Sequence, residues 1–315
     1  MVEKFLIIRV PSDVSQYTEE IGTREKFWFR NEEGRLYLYK KIRYNTLNNG
    51  TEKIPTGEDW AEKIASELCE MLELPHAEYH LATSDGERGV ITPSFLPEQA
   101  SLIAGNEILS GLLPDYPINQ KYGVFQHTIN NVFNAIKHNS VNLPINWIPL
   151  KGISNAEETF VGYLLLDAWV GNSDRHHENW AFVSLNGLTY LAPTYDHASC
   201  LGRNESDEKR KQRLITKDTG FSVQAYVTNC KSALYAKDSD KKPLKTFDAF
   251  CEALQRYPNA ARVWLNHLDK VSNNDILKLF QRIPTVIISE TAIEFALKIL
   301  EINQSRLLKL RKTLP

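Results

Sequence analysis

The segment GNSDRHHENWAFVSLNGLTYLAPTYDHAS, residues 171–199 of a 315-residue chain, gathers two aspartates and an asparagine around one tight turn. Asn186-Gly187 is the strongest short-range hairpin signal, because both central residues of a type I′ turn need positive φ. The runs WAFVSL and LTYLAP flank it. Asn179 stands seven residues before the turn and Asp196 nine after it. A strand rises about 3.3 Å per residue, so both reach the end of the hairpin opposite the turn. Asp174 lies on the loop entering that end. Taken singly, Asp and Asn in loops are ordinary turn and cap formers. Together, two carboxylates and a carboxamide make an oxygen-rich site of the kind Mg²⁺ prefers.

Asp174 and Asn179 are five apart, and a second Asp follows after the hairpin. That is the order of catalytic Asp, metal-binding Asn and metal-binding Asp in phosphotransferases of the protein-kinase type. The HRD and DFG tripeptides of eukaryotic kinases are replaced by NSD and YDH. Such chemistry also needs a cation on the nucleotide phosphates and a carboxylate to hold it. Upstream, REKFWFR and RLYLYKKI are separated by NEEG and predict a β-hairpin. Alternation puts Leu36, Leu38 and Lys40 on one face and Tyr37, Tyr39 and Lys41 on the other, so only one lysine enters a cleft. In EDWAEKIASELCEML, Trp60, Ile64, Leu68 and Leu72 recur at helical spacing, and Glu58 and Glu62 share a face from which either can meet that lysine. Gly22 in GTREKFWF precedes a strand as in a phosphate-covering loop; no Walker motif occurs.

The rest of the chain reads as a small lobe of strands with one helix, residues 1–97, and a larger helical lobe, residues 98–315. AEYHLATSDGERGVITPSFL predicts a second hairpin at Asp85-Gly86, while NTLNNGTEKIPTG and SLIAGNEILSGLLPDYP read as loops. An amphipathic helix is expected from Val124 to Ile136. EETFVGYLLLDAWVG, apolar nearly all round, predicts a buried helix. The charged excursion from Asn204 to Lys217, with RNESDEKRKQR at residues 203–213, reads as a solvated, mobile surface, and the last seventy residues as helical. Lys plus Arg number 37 and Asp plus Glu 39, a formal charge of −2, which excludes a protein devoted to coating nucleic acid or an anionic membrane. Cys69, Cys200, Cys230 and Cys251 form no CxxC pair and suit a reducing cytosol. No targeting segment and no membrane span are expected.

GNSDRHHENWAFV followed by LAPTYDHAS resembles the active-site signature of the HipA-like serine/threonine kinases, bacterial enzymes with a distant protein-kinase and phosphoinositide-kinase-like fold. GTREKFWF, LYLYK, GEDWAEKIASELCEMLELPHAEY and RGVITPSFL match in order as the glycine-containing loop, the strand with the ATP lysine, the lobe helix and the approach to the connector between lobes. The similarity spans about residues 18–203 and is specific within 171–199. It implies an α+β, two-lobed kinase-like fold and an ATP- and Mg²⁺-dependent kinase. Position by position, it implies Lys40 on the phosphates, paired with Glu62 or, second, Glu58. Gly22 and Thr23 would lie over the nucleotide and backbone near Phe95 would meet adenine. Asp174 would be the catalytic base with His176 beside it, and Asn179 and Asp196 would bind the metal. The glycine loop near residue 22 marks a short, HipT- or CtkA-like member lacking the HipA N-terminal subdomain. Glu19, Glu20 and Ile21 stand where some members carry a regulatory serine, with Thr18 and Thr23 the nearest hydroxyls for autophosphorylation.

The same resemblance implies a toxin-type kinase of a toxin–antitoxin system or a secreted effector kinase. Its substrate would be a protein, with an aminoacyl-tRNA synthetase as the example the family suggests. Its partner would be a HipB- or HipS-like antitoxin, and its compartment the bacterial cytoplasm or, after export, a host cell. Two alternatives compete. Asp174, His176, His177, Asp196 and His197 could ligate two transition metals in a phosphohydrolase. A catalytically dead pseudokinase would keep the fold as a binding module.

Overall fold

A computed structural model describes residues 2–11, 13, 17–18, 25–47 and 52–314. The small lobe contains β1 (Ile8–Arg9), β2 (Tyr17–Thr18), β3 (Lys26–Arg30), β4 (Leu36–Lys41), β5 (Tyr44–Leu47), β6 (Glu52–Pro55), α1 (Glu58–Met71), β7 (His80–Ser84) and β8 (Glu87–Pro93). Six strands form one sheet in the order β1-β7-β8-β4-β3-β2. β1 joins β7 in parallel, and the other neighbours are antiparallel. The expected hairpins form. Asn31 receives the Gly34 amide at 2.9 Å between β3 and β4, and Asp85-Gly86 turns with φ of 49° and 78° between β7 and β8. Pleating sorts the side chains: Phe27, Phe29, Tyr37 and Tyr39 pack with Val10, Ala82 and Ile91 on one face. Trp28, Leu38 and Lys40 are on the other, where a cleft opens. Trp60, Ile64 and Leu68 of α1, and Leu72 at its C-cap, are buried as their spacing predicts.

The large lobe continues with β9 (Ser101–Ala104), α2 (Gly105–Leu112), α3 (Ile129–His138), α4 (Ala156–Val170), β10 (Ala181–Leu185), β11 (Leu188–Leu191), α5 (Asp207–Ile215), α6 (Val223–Thr228), α7 (Thr246–Arg256), α8 (Pro258–Lys270), α9 (Asn273–Gln281) and α10 (Glu290–Lys309), ending in a 3₁₀ turn at Leu310–Thr313. α4 is the apolar helix. It runs through the core against α3, α7, α8 and α10, and buries all its residues from Thr159 to Val170. Asn155 caps it, accepting the Glu158 amide at 2.8 Å. β9, β10 and β11 form a three-stranded sheet, turned at Asn186-Gly187 with φ of 51° and 76°. Among the described residues no helix is long and apolar enough to cross a membrane.

Four local expectations are corrected. The supposed loop at residues 45–57 contains the β5–β6 pair, whose four-residue arms carry too few apolar side chains to show an alternation. The supposed connector after residue 98 holds β9 and α2; β9 exists because β10 supplies its hydrogen bonds, a tertiary cause invisible in four residues. α3 begins at Ile129 rather than Val124, because the Thr128 hydroxyl accepts the Asn131 amide at 3.1 Å and caps it there. The charged run is no mobile coil. Ser206 caps α5, and buried Arg210 donates to Gly202 O at 3.2 Å and Arg203 O at 3.0 Å, its guanidinium 5.9 Å from the Trp60 ring of α1.

The lobes also meet through the start of the chain. The Phe5 amide donates to Arg282 O at 2.7 Å, and Lys4 Nζ to Gln281 O at 2.7 Å. The Phe5 ring lies between Lys63 Nζ at 4.4 Å and the Arg282 guanidinium at 4.0 Å. Arg88 of β8, paired with Asp59, reaches Ile287 O at 2.8 Å.

Candidate active site

The loop after α4 is held from beneath. Gly171 ends the helix at φ 67°, where glycine carries no steric cost. Asn172 then folds back, its side-chain amide donating to Asp167 Oδ1 at 2.8 Å. Arg175 is fully buried and grips Asp167 with two bonds, Nε to Oδ2 at 2.7 Å and Nη2 to Oδ1 at 2.8 Å. Its third nitrogen donates to Asn179 O at 2.7 Å. A bidentate charged pair of this kind is geometrically stiff, so residues 172–179 are fixed to the central helix. Neither Arg175 nor Asp167 was singled out from the sequence, where an arginine in a polar loop looks like surface.

Asp174 sits on top of this loop. Oδ1 accepts the Tyr122 hydroxyl at 2.7 Å and Oδ2 the Ser199 hydroxyl at 3.4 Å, while its carbonyl accepts Asn179 Nδ2 at 2.6 Å. His176 is buried beside it. Its Nδ1 accepts the Glu178 amide at 3.1 Å, so Nε2 carries the proton and faces Asp174 Oδ1 at 3.7 Å. Burial, with the Lys121 charge second, pushes its pKa from 6.5 down to about 2, and it remains a neutral donor.

On the opposite wall Lys40 is 5% exposed, its Nζ 3.5 Å from Asp196 Oδ1 and 3.2 Å from the Tyr79 hydroxyl. Tyr79 also accepts the Asp196 amide at 3.3 Å. Asp196 has φ 59°, a left-handed conformation that Asp tolerates better than most residues. The next amide, His197 N–H, donates to Glu62 Oε1 at 2.6 Å. Glu62 of α1 is fully buried, and its charge and those of Lys40 and Asp196 all act on the buried Tyr79 hydroxyl, whose pKa burial raises first. Glu58 serves other partners: it takes the Arg43 Nε at 2.8 Å and Arg203 Nη2 at 3.1 Å. Lys41 points away to Glu25 at 3.1 Å. Tyr79 escaped the sequence reading because EYH looks like any strand entry.

Between these walls lies a cleft of about 410 Å³ lined by Trp28, Leu38, Lys40, Phe95, Asn179 and Asp196, among others. Phe95 stacks on Tyr195 with ring centroids 6.0 Å apart, giving the inner end an aromatic wall. The structure thus brings together Lys40, Phe95, Asn179 and Asp196, with Asp174 joined to Asn179 at the rim and Glu62 behind Asp196. Gly22 and Thr23 lie outside the described residues.

The remaining histidines are engaged structurally. His177 Nδ1 meets the Tyr116 hydroxyl at 2.7 Å, and His197 Nε2 meets Thr194 Oγ1 at 2.8 Å. Among the described residues no group of three or more His, Cys, Asp or Glu could hold a metal ion. His127 accepts the Trp180 indole N–H at Nε2, 3.1 Å, and burial pushes its pKa from 6.5 to about 3. Protonation would set N–H against N–H. Because the folded pKa is depressed, the unfolded chain binds this proton first: the stability is fully present above pH 6.5 and is lost as pH falls toward 3. Urea unfolding between pH 4 and 6 should show a loss of about 1.4 kcal/mol per pH unit from this residue, and a visibly shallower slope in His127→Leu.

Fold and site define a two-lobed, kinase-like α+β protein. No protein-family model and no curated protein sequence matches the chain. Solved structures do. The proinflammatory kinase CtkA of Helicobacter pylori superposes with a TM-score of 0.70 at 19% identity, covering 95% of this chain and 93% of that one. HipA of the Shewanella oneidensis MR-1 toxin–antitoxin system, solved with HipB and operator DNA, superposes with a TM-score of 0.57 at 12% identity. That match covers 92% of this chain and 64% of HipA. The fold is that of the HipA-like kinases, as the sequence resemblance implies.

Proposed function

We propose that the protein is an ATP- and Mg²⁺-dependent serine/threonine protein kinase of the HipA-like type. The observation that carries this is the meeting of Lys40, Asn179 and Asp196 across one cleft whose rim holds Asp174. Nucleotide enters with its base against Phe95 and the neighbouring backbone. Lys40, held by Asp196 and Tyr79, neutralises phosphate charge, and Gly22 and Thr23 are proposed to cover the phosphates. Glu62 is proposed to pair with this lysine, and it also fixes the chain at His197. The oxygen donors of Asn179 and Asp196 suit a hard cation such as Mg²⁺, which would supply positive charge against the phosphates. Asp174 orients the attacking hydroxyl and accepts its proton, kept in position by Tyr122, Ser199 and neutral His176.

The solved likenesses, a proinflammatory kinase and a toxin bound to HipB, support a toxin-type or secreted effector kinase. By the same resemblance the substrate is a bacterial or host protein, an aminoacyl-tRNA synthetase among them, and the restraining partner a HipB- or HipS-like antitoxin in the cytoplasm. Transfer of labelled γ-phosphate from Mg-ATP to protein serine or threonine tests this proposal; ATP hydrolysis without phosphoprotein, or no turnover, would overturn it. Within this assay Lys40→Ala should weaken nucleotide binding and reduce turnover by at least about 10²-fold, the scale of losing one preorganised charge at the reacting phosphates. Lys41→Ala, whose side chain engages Glu25, should change both less than about threefold, as a surface ion pair contributes little. The reverse ranking would mean that the strand register does not serve the nucleotide.

A further inference from the structure

On the other side of the catalytic loop lies a second cavity, also of about 410 Å³. Ser173 and Ser199 line it on the side of the catalytic loop, together with Arg203, Arg213, Tyr226 and Lys231. It touches the proposed reaction centre directly: Ser199 Oγ donates to Asp174 Oδ2 at 3.4 Å and receives Arg203 Nη2 at 3.3 Å. Asp174 therefore touches one lining residue of each space, Asn179 of the nucleotide cleft and Ser199 of this cavity. In-line phosphoryl transfer brings the attacking hydroxyl from the side opposite the leaving oxygen. A substrate whose hydroxyl reaches Asp174 from that side carries its flanking residues over Ser199.

The chemistry of the cavity selects among such substrates. Its described lining residues include three cations and no carboxylate. Arg213 is held rigidly: it bonds Glu205 at 3.0 Å and Phe221 O at 3.1 Å, and its guanidinium lies 4.4 Å from the Phe221 ring and 5.2 Å from that of Tyr226. Arg203 is held in place by Glu58, which Arg43 also contacts. Lys231 is exposed at the mouth. Preset guanidinium groups with aromatic support are suited to bind carboxylates, because little side-chain entropy remains to be lost.

We propose that this cavity is an acidic-residue subsite, and that the preferred substrate carries Asp or Glu within about two residues of the phosphoacceptor, as the chain spans at most about 3.5 Å per residue. The inference rests on the kinase reading for its orientation, and its test separates the two. Three fluorescent peptides share one serine flanked by Glu, Ala or Lys. Fluorescence anisotropy with the ADP-bound protein should rank them acidic, neutral, basic, with about tenfold between the extremes, the effect of one charge-assisted contact. Lys231→Glu and Arg213→Gln should each remove most of that difference, with unchanged ADP affinity certifying the fold. The kcat/KM values for phosphorylation of the same peptides should follow the same ranking. Equal binding of all three, or an acidic preference that survives both variants, would overturn the subsite. Acidic preference in binding without any phosphotransfer would instead uphold the subsite and overturn the kinase reading.

Discussion

Asp174→Asn should reduce phosphotransfer turnover by about 10²–10⁴-fold, the usual value of a positioned general base, while Mg-ATP binds as before. The substitution is nearly isosteric. Tyr122 can still donate to the remaining side-chain oxygen, His176 keeps its own bond to the Glu178 amide, and Asn179 still grips the main-chain carbonyl. What is lost is the ability to accept a proton from the incoming hydroxyl. Calorimetry for nucleotide affinity and a single-turnover assay for the chemical step separate the two effects. Equal losses in affinity and turnover would mean that Asp174 holds nucleotide or metal rather than the acceptor.

Asp196→Ala should abolish transfer outright and remove the Mg²⁺ dependence of nucleotide binding. Two losses coincide: the carboxylate proposed to hold the cation, and the partner 3.5 Å from Lys40 that keeps the lysine in the cleft. Backbone geometry adds a separable effect. At φ 59° alanine is strained, so this variant should also unfold about 1–2 kcal/mol more easily. Asp196→Asn tolerates the same φ and should recover that stability without recovering activity. Denaturant melts on both variants, with Mg²⁺ titrations of ATP binding, check each half. An active Asn variant would overturn the metal assignment.

Much of this site was legible because its residues are clustered in sequence. Asp174, His176, Asn179 and Asp196 lie on the loops that flank one hairpin, and strand alternation alone separates Lys40 from Lys41. The parts that escaped notice depend on long-range packing. Tyr79 matters because β7 begins beneath Lys40 and Asp196, a relation set by sheet order rather than by any local pattern. Arg175 is read from sequence as a loop arginine; only the burial of α4 turns it into the anchor of that loop. The charged run became α5 for a similar reason, since Arg210 found Trp60 on the other lobe. β5 and β6 show the opposite limit: four-residue strands hold too little apolar contrast for a period to emerge.

The clasp at Phe5 has a mechanical consequence. The lobes are joined not only by the chain that follows β8 but also through residues 4–5, which β1 fastens to the sheet and whose backbone and ring are pinned at Arg282. With Arg88 bound to Ile287 O, Arg203 to Glu58 and Arg210 beside Trp60, this clasp is one of several ties across the boundary between the lobes. Under the proposed function, nucleotide would be admitted with the lobes still tied at these contacts, rather than by a swing of one lobe away from the other.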